Sequence, residues 1–201
     1  MIKPIFQEAR RIRFANPTVE GLIRLTRTTL DTQIVSAILE GAKRLLPPDN
    51  SLEGQEIRKS EMAMKALPGG EAEIAFIVQL QRFQPLSLTE GQQNESIRLK
   101  IETGSASVVK ATPDLLLLET TWLCGFRTNW VEYKNMFGFK SNPYVHGKIK
   151  KQLKRYVELF GNGMVVFKLG YESEHLSIEG LKVMREADVL QWMESQQYHS
   201  M

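Results

Sequence analysis

Residues 112–139 read TPDLLLLETTWLCGFRTNWVEYKNMFGF and hold two segments with the character of buried strands, LLLL and NWVEY. A buried charge is expensive unless it is paired or bound. Yet Asp114 opens the first strand, and Glu132 and Lys134 stud the second. Strand side chains alternate between faces, so Trp130, Glu132 and Lys134 share one face while Val131 and Tyr133 share the other. Pro113 cannot donate to a central ladder, which puts Asp114 at the mouth of its strand. If the two strands are neighbours, an aspartate, a glutamate and a lysine meet at one end of a sheet.

That grouping suits phosphodiester cleavage. The reaction needs a metal ion to activate water and to neutralise charge developing on the phosphoryl oxygens. Magnesium takes hard oxygen ligands, commonly one or two carboxylates with water and substrate phosphate completing the shell. An adjacent lysine can orient the attacking water or stabilise the charged phosphorus centre. A Glu-x-Lys triplet is weak evidence alone, because such pairs usually sit on a solvated strand face. Its company here is a Pro-Asp upstream and a helix bearing Gln152 and Tyr156 downstream.

The rest of the chain sets bounds on this reading. Its 201 residues can hold one medium domain, or one domain plus a helical appendage. A formal charge of only +3 means that a nucleic-acid partner must be argued from local clusters of positive residues. The single cysteine, Cys124, excludes an intramolecular disulfide and a CxxC zinc site and favours a reducing compartment, nucleus or cytoplasm; its simplest role is a small buried hydrophobe. No apolar run approaches the roughly 20 residues of a membrane-spanning helix, so no membrane partner is expected. The N-terminus, MIKPIFQEARRIRF, lacks a secretory apolar core. It is basic and mildly amphipathic, with a mitochondrial leader as a minor alternative that Glu8 interrupts.

Residues 16–46 read as a helical hairpin. Asn16-Pro17 offers a cap and a first-turn proline. Asp31 caps a second run with Ile34, Val35, Ile38, Leu39, Ala42, Leu45 and Leu46 at helical spacing. Pro47-Pro48 ends it, and PPDNSLEGQEIRKS reads as a connecting loop. A second unit begins near Pro68-Gly69-Gly70. There EAEIAFIVQLQRF is a helix with Ile74, Ile77, Val78 and Leu80 inward, SLTEGQQNES is a polar loop, and the alternation in IRLKIET predicts an edge strand. The LLLL and TNWVEYK strands follow. HGKIKKQLKRYVELF is a helix capped by Gly161, GMVVFKLG a buried strand, and EADVLQWMESQQ a closing helix. The expected division is a helical extension over 1–66 and an α/β domain with a mixed sheet over 67–201. Trp122 and Trp130 read as core, and His146 as structural or exposed.

The ordered set of TPD (112–114), WVEYKNMFG (130–138), QLKRYVELFGNGMVVF (152–167) and Gly170 resembles the TPD family, the codanin-interacting nuclease-like branch of the PD-(D/E)xK nuclease superfamily. The resemblance covers about residues 70–172. It implies a restriction-endonuclease-like mixed sheet flanked by helices and a metal-dependent nuclease, with DNA favoured over RNA. It also implies Mg²⁺ as the cofactor, with Mn²⁺ able to substitute. Asp114 and Glu132 are then metal ligands, Lys134 the catalytic lysine, and Gln152 a contact near the scissile phosphate. Glu73 is the early acidic residue, with Glu71 as its rival. The family suggests a nuclear location, and related nucleases often pair to cut two strands, which makes a homodimer an expectation. The sequence departs from the family in carrying Tyr133 where a small residue is usual. Its helical region is also short, so a protein partner docking there is a possibility that the resemblance leaves open between none and one other than codanin. Lys148, Lys150, Lys151, Lys154 and Arg155 would grip the nucleic-acid backbone. Arg10, Arg11 and Arg13 are a weaker cluster, either surface or a flexible arm. The competing expectation is a retired nuclease fold acting as a nucleic-acid- or protein-binding module.

Overall fold

The computed structural model describes residues 2–45, 51–103, 111–141 and 143–198, without the side chains of 53, 54, 57–69, 143–145, 197 and 198. Helices α1 (Ile2–Ile12), α2 (Val19–Thr26) and α3 (Thr32–Lys43) precede a long α4 (Leu52–Phe83). Then come β1 (Ser87–Thr89), α5 (Glu90–Glu102), β2 (Leu115–Leu123) and β3 (Phe126–Lys134). The chain closes with α6 (Pro143–Phe160), β4 (Gly163–Phe167), β5 (Leu181–Arg185) and α7 (Glu186–Tyr198). The five strands form one sheet in sequence order. β1, β2 and β3 are antiparallel, and β3, β4 and β5 are parallel, so the sheet is mixed as expected.

Strand alternation decides what each face of the sheet receives. Val131 and Tyr133 of β3 pack with Leu115, Leu117, Met164 and Val166 against Phe76, Ile77 and Leu80 of α4 and Val189 and Met193 of α7. Trp130 faces the other way, joining Val165 and Phe167 against Ile149, Leu153 and Tyr156 of α6. Glu132 shares the α6 face by its strand parity. A third cluster joins α1, α2 and α3 to Phe137 and Phe139, which follow β3, so the N-terminal helices are built onto the sheet domain. The β2–β3 hairpin turns through Cys124 and Gly125, both with positive φ (49° and 70°), the two-residue turn whose twist matches antiparallel strands.

Several local expectations are corrected. IRLKIET is helical, lying in α5. Thr89 and Gln92 form a reciprocal capping box that starts a helix through SLTEGQQNES, and Leu99 and Ile101 are left exposed. The described part of PPDNSLEGQEIRKS enters α4 at Leu52, because Glu, Gln, Arg and Lys are strong helix formers; its first residues, and Leu46, Pro47 and Pro48, lie outside the described residues. α4 continues unbroken across residue 66. The helical pair expected over 16–46 is present as α2 and α3, with α1 packed on it, but α2 is capped by Thr18, whose hydroxyl accepts from Gly21 N–H, while Asn16 takes a left-handed conformation. Asp31 caps α3 as expected, accepting from Gln33 N–H at 2.7 Å. Ile74 and Val78 are exposed, the inward stripe of α4 being Phe76, Ile77 and Leu80. Trp130 is fully buried but Trp122 is 63% exposed, about 25 Å along β2 from Asp114. Arg10, Arg11 and Arg13 sit at the end of a packed helix, which is incompatible with a free arm.

Gly163 opens β4 directly opposite Trp130. A Cβ there would come within 1.9 Å of the indole ring, which is fully buried and tied by its N–H to Gly161 O at 2.9 Å. Overpacking of a tight core costs about 1–3 kcal/mol, so Gly163→Ala should lose about 3 kcal/mol in urea unfolding. A midpoint equal to wild type would contradict this packing.

Candidate metal centre

The β2–β3 register pairs Leu115 with Val131, which places Asp114 beside Glu132 at the entrance to the ladder. Backbone and side chains lock the two together. Asp114 N–H donates to Glu132 Oε2 (3.3 Å), and Tyr133 N–H donates to Asp114 Oδ2 (2.6 Å). The Lys134 ammonium, two residues along on the same face, donates to Glu132 Oε1 (2.5 Å). Gln152 reaches in from α6, its amide donating to Glu132 Oε1 and to the Tyr156 hydroxyl, both at 3.0 Å. Tyr156 in turn donates to Thr112 O (3.0 Å). Glu132 is thereby 2% exposed yet fully engaged.

A second group of carboxylates meets at Asp114. Glu73 of α4, Glu90 of α5 and Asp114 each offer an oxygen, and these oxygens lie within 4.8 Å of one another. Glu73 is half-buried while Glu71 is exposed, which resolves the choice between them. Thr112 Oγ1 donates to Glu90 Oε1 (3.3 Å), and Glu90 N–H donates to Asp114 O (3.2 Å). Three carboxylates this close offer an all-oxygen donor set, the kind that hard divalent cations prefer.

The five residues expected at the site, Asp114, Glu132, Lys134, Gln152 and Glu73, are therefore brought together. Glu90 was missed. The signal that could have found it is the T-x-x-Q capping box of residues 89–92, which starts a helix at Glu90 inside a stretch expected to be loop.

A cavity of about 520 Å³ opens beside the group, lined by Glu90, Thr112, Asp114, Glu132, Gln152, Tyr156, Lys148, Lys151 and Arg155, while Glu73 and Lys134 sit behind its lining. Lys150 and Lys154 face a neighbouring cavity of about 630 Å³, which shares Lys151 and Arg155 with the first. The basic residues of α6 thus split between two adjoining hollows along the helix. His146 lines neither; its ring lies 5.0 Å from that of the buried His175.

Burial pushes the carboxyls of Glu73, Asp114 and Glu132 above their ordinary values, with repulsion from a neighbouring carboxylate adding to it at each: Asp114 at Glu73 and Glu132, and Glu90 at Asp114. For Asp114 and Glu132 the Lys134 charge and backbone N–H donors oppose the rise. Glu132 still reaches about 7. Burial alone would lower Lys134, but Glu132, Asp114 and Glu73 more than offset it and hold the ammonium charged. A carboxyl raised in the folded state takes up more protons there than in the unfolded chain, so its contribution to stability falls as pH rises from about 4.5 to 7. His175, lowered to about 4 by burial, acts oppositely between pH 4 and 6.5. Comparison with Glu132→Gln isolates the carboxylate. With a chelator present, the melting temperature of wild type relative to Glu132→Gln should fall between pH 5 and 8, by roughly 2–4 °C per kcal/mol. A pH-independent difference would contradict this placement of Glu132.

Comparison with known proteins found one family: the sequence profile described as protein of unknown function, TPD sequence-motif, matches residues 86–188. Neither a search of curated proteins nor a search of solved structures found a match. The matched span runs from just before β1 into α7 and contains Glu90, Asp114, Glu132, Lys134, Gln152 and the basic helix. The chain belongs to the TPD family.

Proposed function

We propose that the protein is a metal-dependent nuclease of the PD-(D/E)xK type that hydrolyses phosphodiester bonds in nucleic acid, with DNA the first substrate to test. One observation carries the reading: six polar residues from α4, α5, the start of β2, β3 and α6 converge on one point, and Glu90, Asp114, Glu132 and Gln152 among them line a cavity that Lys148, Lys151 and Arg155 also line. A buried carboxylate and ammonium do little for stability that apolar side chains could not do as well. Their presence beside a cavity therefore favours chemistry.

The residues fit a hard divalent cation, Mg²⁺ or Mn²⁺, with Asp114, Glu73 and Glu90 as the close donors and Glu132 alongside. Such an ion supplies charge neutralisation for the phosphate and a more acidic bound water. Glu132 lines the cavity and fixes the Lys134 ammonium through the 2.5 Å contact, so that its positive charge stays directly behind that carboxylate. There Lys134 can orient a water for attack and stabilise the charge that develops on the phosphoryl oxygens. Gln152, anchored on Glu132 and Tyr156, steadies the substrate beside it. Lys148, Lys151 and Arg155 hold the phosphate backbone within the first cavity, and Lys150 and Lys154 extend that hold into the second.

The test is a panel of labelled duplex, flap, junction and RNA substrates with Mg²⁺. Asp114→Asn and Lys134→Ala should each lower cleavage by about 100-fold or more while keeping a cooperative melt. Absence of metal-stimulated cutting by wild type on every substrate would sink the proposal. Substrate binding should also weaken with salt. Replacing Lys151 and Arg155 together by Ala should make the log–log salt dependence shallower by about 2; an unchanged slope would remove α6 from the binding path.

A further inference from the structure

The backbone carbonyls of Thr112, Pro113 and Asp114 are each taken by a different donor. Tyr156 Oη donates to Thr112 O (3.0 Å), Gln93 Nε2 to Pro113 O (2.8 Å) and Glu90 N–H to Asp114 O (3.2 Å). Of these donors Gln93 is the least expected. It lies on α5 and is only 5% exposed, and the same amide nitrogen donates to Leu88 O at 3.0 Å. A primary amide carries two N–H donors in one plane, so one side chain ties β1 to the turn that leads into β2. The β1–β2 ladder ends where Thr89 pairs with Leu115. Beyond that point Pro113 has no N–H to offer, and the Gln93 amide takes over from the backbone.

Buried amides are kept where they satisfy a particular backbone group, since a leucine of similar size would fill the space. The group satisfied here immediately precedes Asp114. Gln93 also lies one helical turn from Glu90, so α5 delivers a carboxylate and the pin for its neighbour from a single rigid element.

We propose that Gln93 is a positioning residue of the metal centre, holding the Thr112–Asp114 turn so that the carboxylates of Asp114 and Glu90 stay within coordinating reach of one ion. The inference rests on the metal-binding reading above. With the Pro113 carbonyl released, the turn is held only from its two ends, by Tyr156 at Thr112 O and by Glu90 N–H at Asp114 O, and the Asp114–Glu90 spacing loosens, while Lys134, Glu132 and the basic helix stay in place.

The experiment is a calorimetric Mn²⁺ titration of the full chain at a temperature well below melting, on wild type, Asp114→Asn, Gln93→Leu and Thr128→Val. Thr128 is a fully buried polar residue of β3 whose hydroxyl donates to Phe126 O, so its variant reports the effect of a lost buried hydrogen bond away from the centre. Wild type should bind Mn²⁺ in a manner that requires Asp114. Gln93→Leu should bind about tenfold more weakly, and Thr128→Val should bind as wild type does even if it melts earlier. Wild-type affinity in Gln93→Leu would overturn the positioning role while leaving the metal reading intact. Wild type without Asp114-dependent binding would overturn both. Should Gln93→Leu fail to fold, the side-chain amide of Gln93 in ¹⁵N-labelled wild type decides: its resonances should be exchange-protected and shift as Mg²⁺ is added, and an unmoved, freely exchanging pair would reject the inference.

Discussion

The Glu132–Lys134 pair is the constraint around which the sheet is arranged. A carboxylate 2% exposed on a central strand is tolerable only if its charge is balanced and its lone pairs are taken. Lys134 balances the charge, Gln152 shares the same oxygen, and the backbone N–H of Asp114 takes the other. Each partner is fixed by a different part of the fold: the strand's own two-residue repeat, the crossover helix, and the neighbouring strand. Breaking one leaves a buried charge partly unsatisfied, so the three elements are held in mutual register by a single carboxylate.

The mixed topology follows from the same arrangement. The antiparallel β2–β3 hairpin brings Asp114 to Glu132, and the parallel β3–β4 step requires a crossover, supplied by α6. α6 packs Leu153 and Tyr156 inward beneath its exposed lysines, so that Gln152 points to Glu132 while Lys148, Lys151 and Arg155 line the cavity wall. One helix therefore closes the core on one side and makes the cavity basic on another. The opposite face carries α4, whose inward stripe ends at Glu73 one turn from Ile77. The three N-terminal helices touch this core through Phe137 and Phe139, just beyond β3.

Much of this was legible because local pattern and burial agreed. The LLLL and WVEYK strands, the helix after them, the GMVVF strand and the closing helix all have periods matching the environment they occupy. Asp114, Glu132 and Lys134 stood out because their charge conflicted with that environment. The errors arose where local pattern and burial diverged. In α5 the alternation Ile97, Leu99, Ile101 imitates a strand, but the helix is set by its capping box, and Leu99 and Ile101 are left exposed. In α4 the polar residues after Ser51 imitate a loop, although Glu, Gln, Arg and Lys are good helix formers. Glu90 is hidden by the first of these divergences, and in α4 the apolar Ile74 and Val78 face solvent while Ile77 points inward. Strand β5 went unread because its residues are only half-buried and give no clear period.

The central claim is that one ion is shared by carboxylates from three separate elements. Anomalous diffraction from crystals equilibrated with Mn²⁺ tests it directly. A single strong peak should lie within bonding distance of an Asp114 oxygen and of at least one oxygen from Glu73 or Glu90. A peak elsewhere, or none at Asp114 under saturating Mn²⁺, would contradict it.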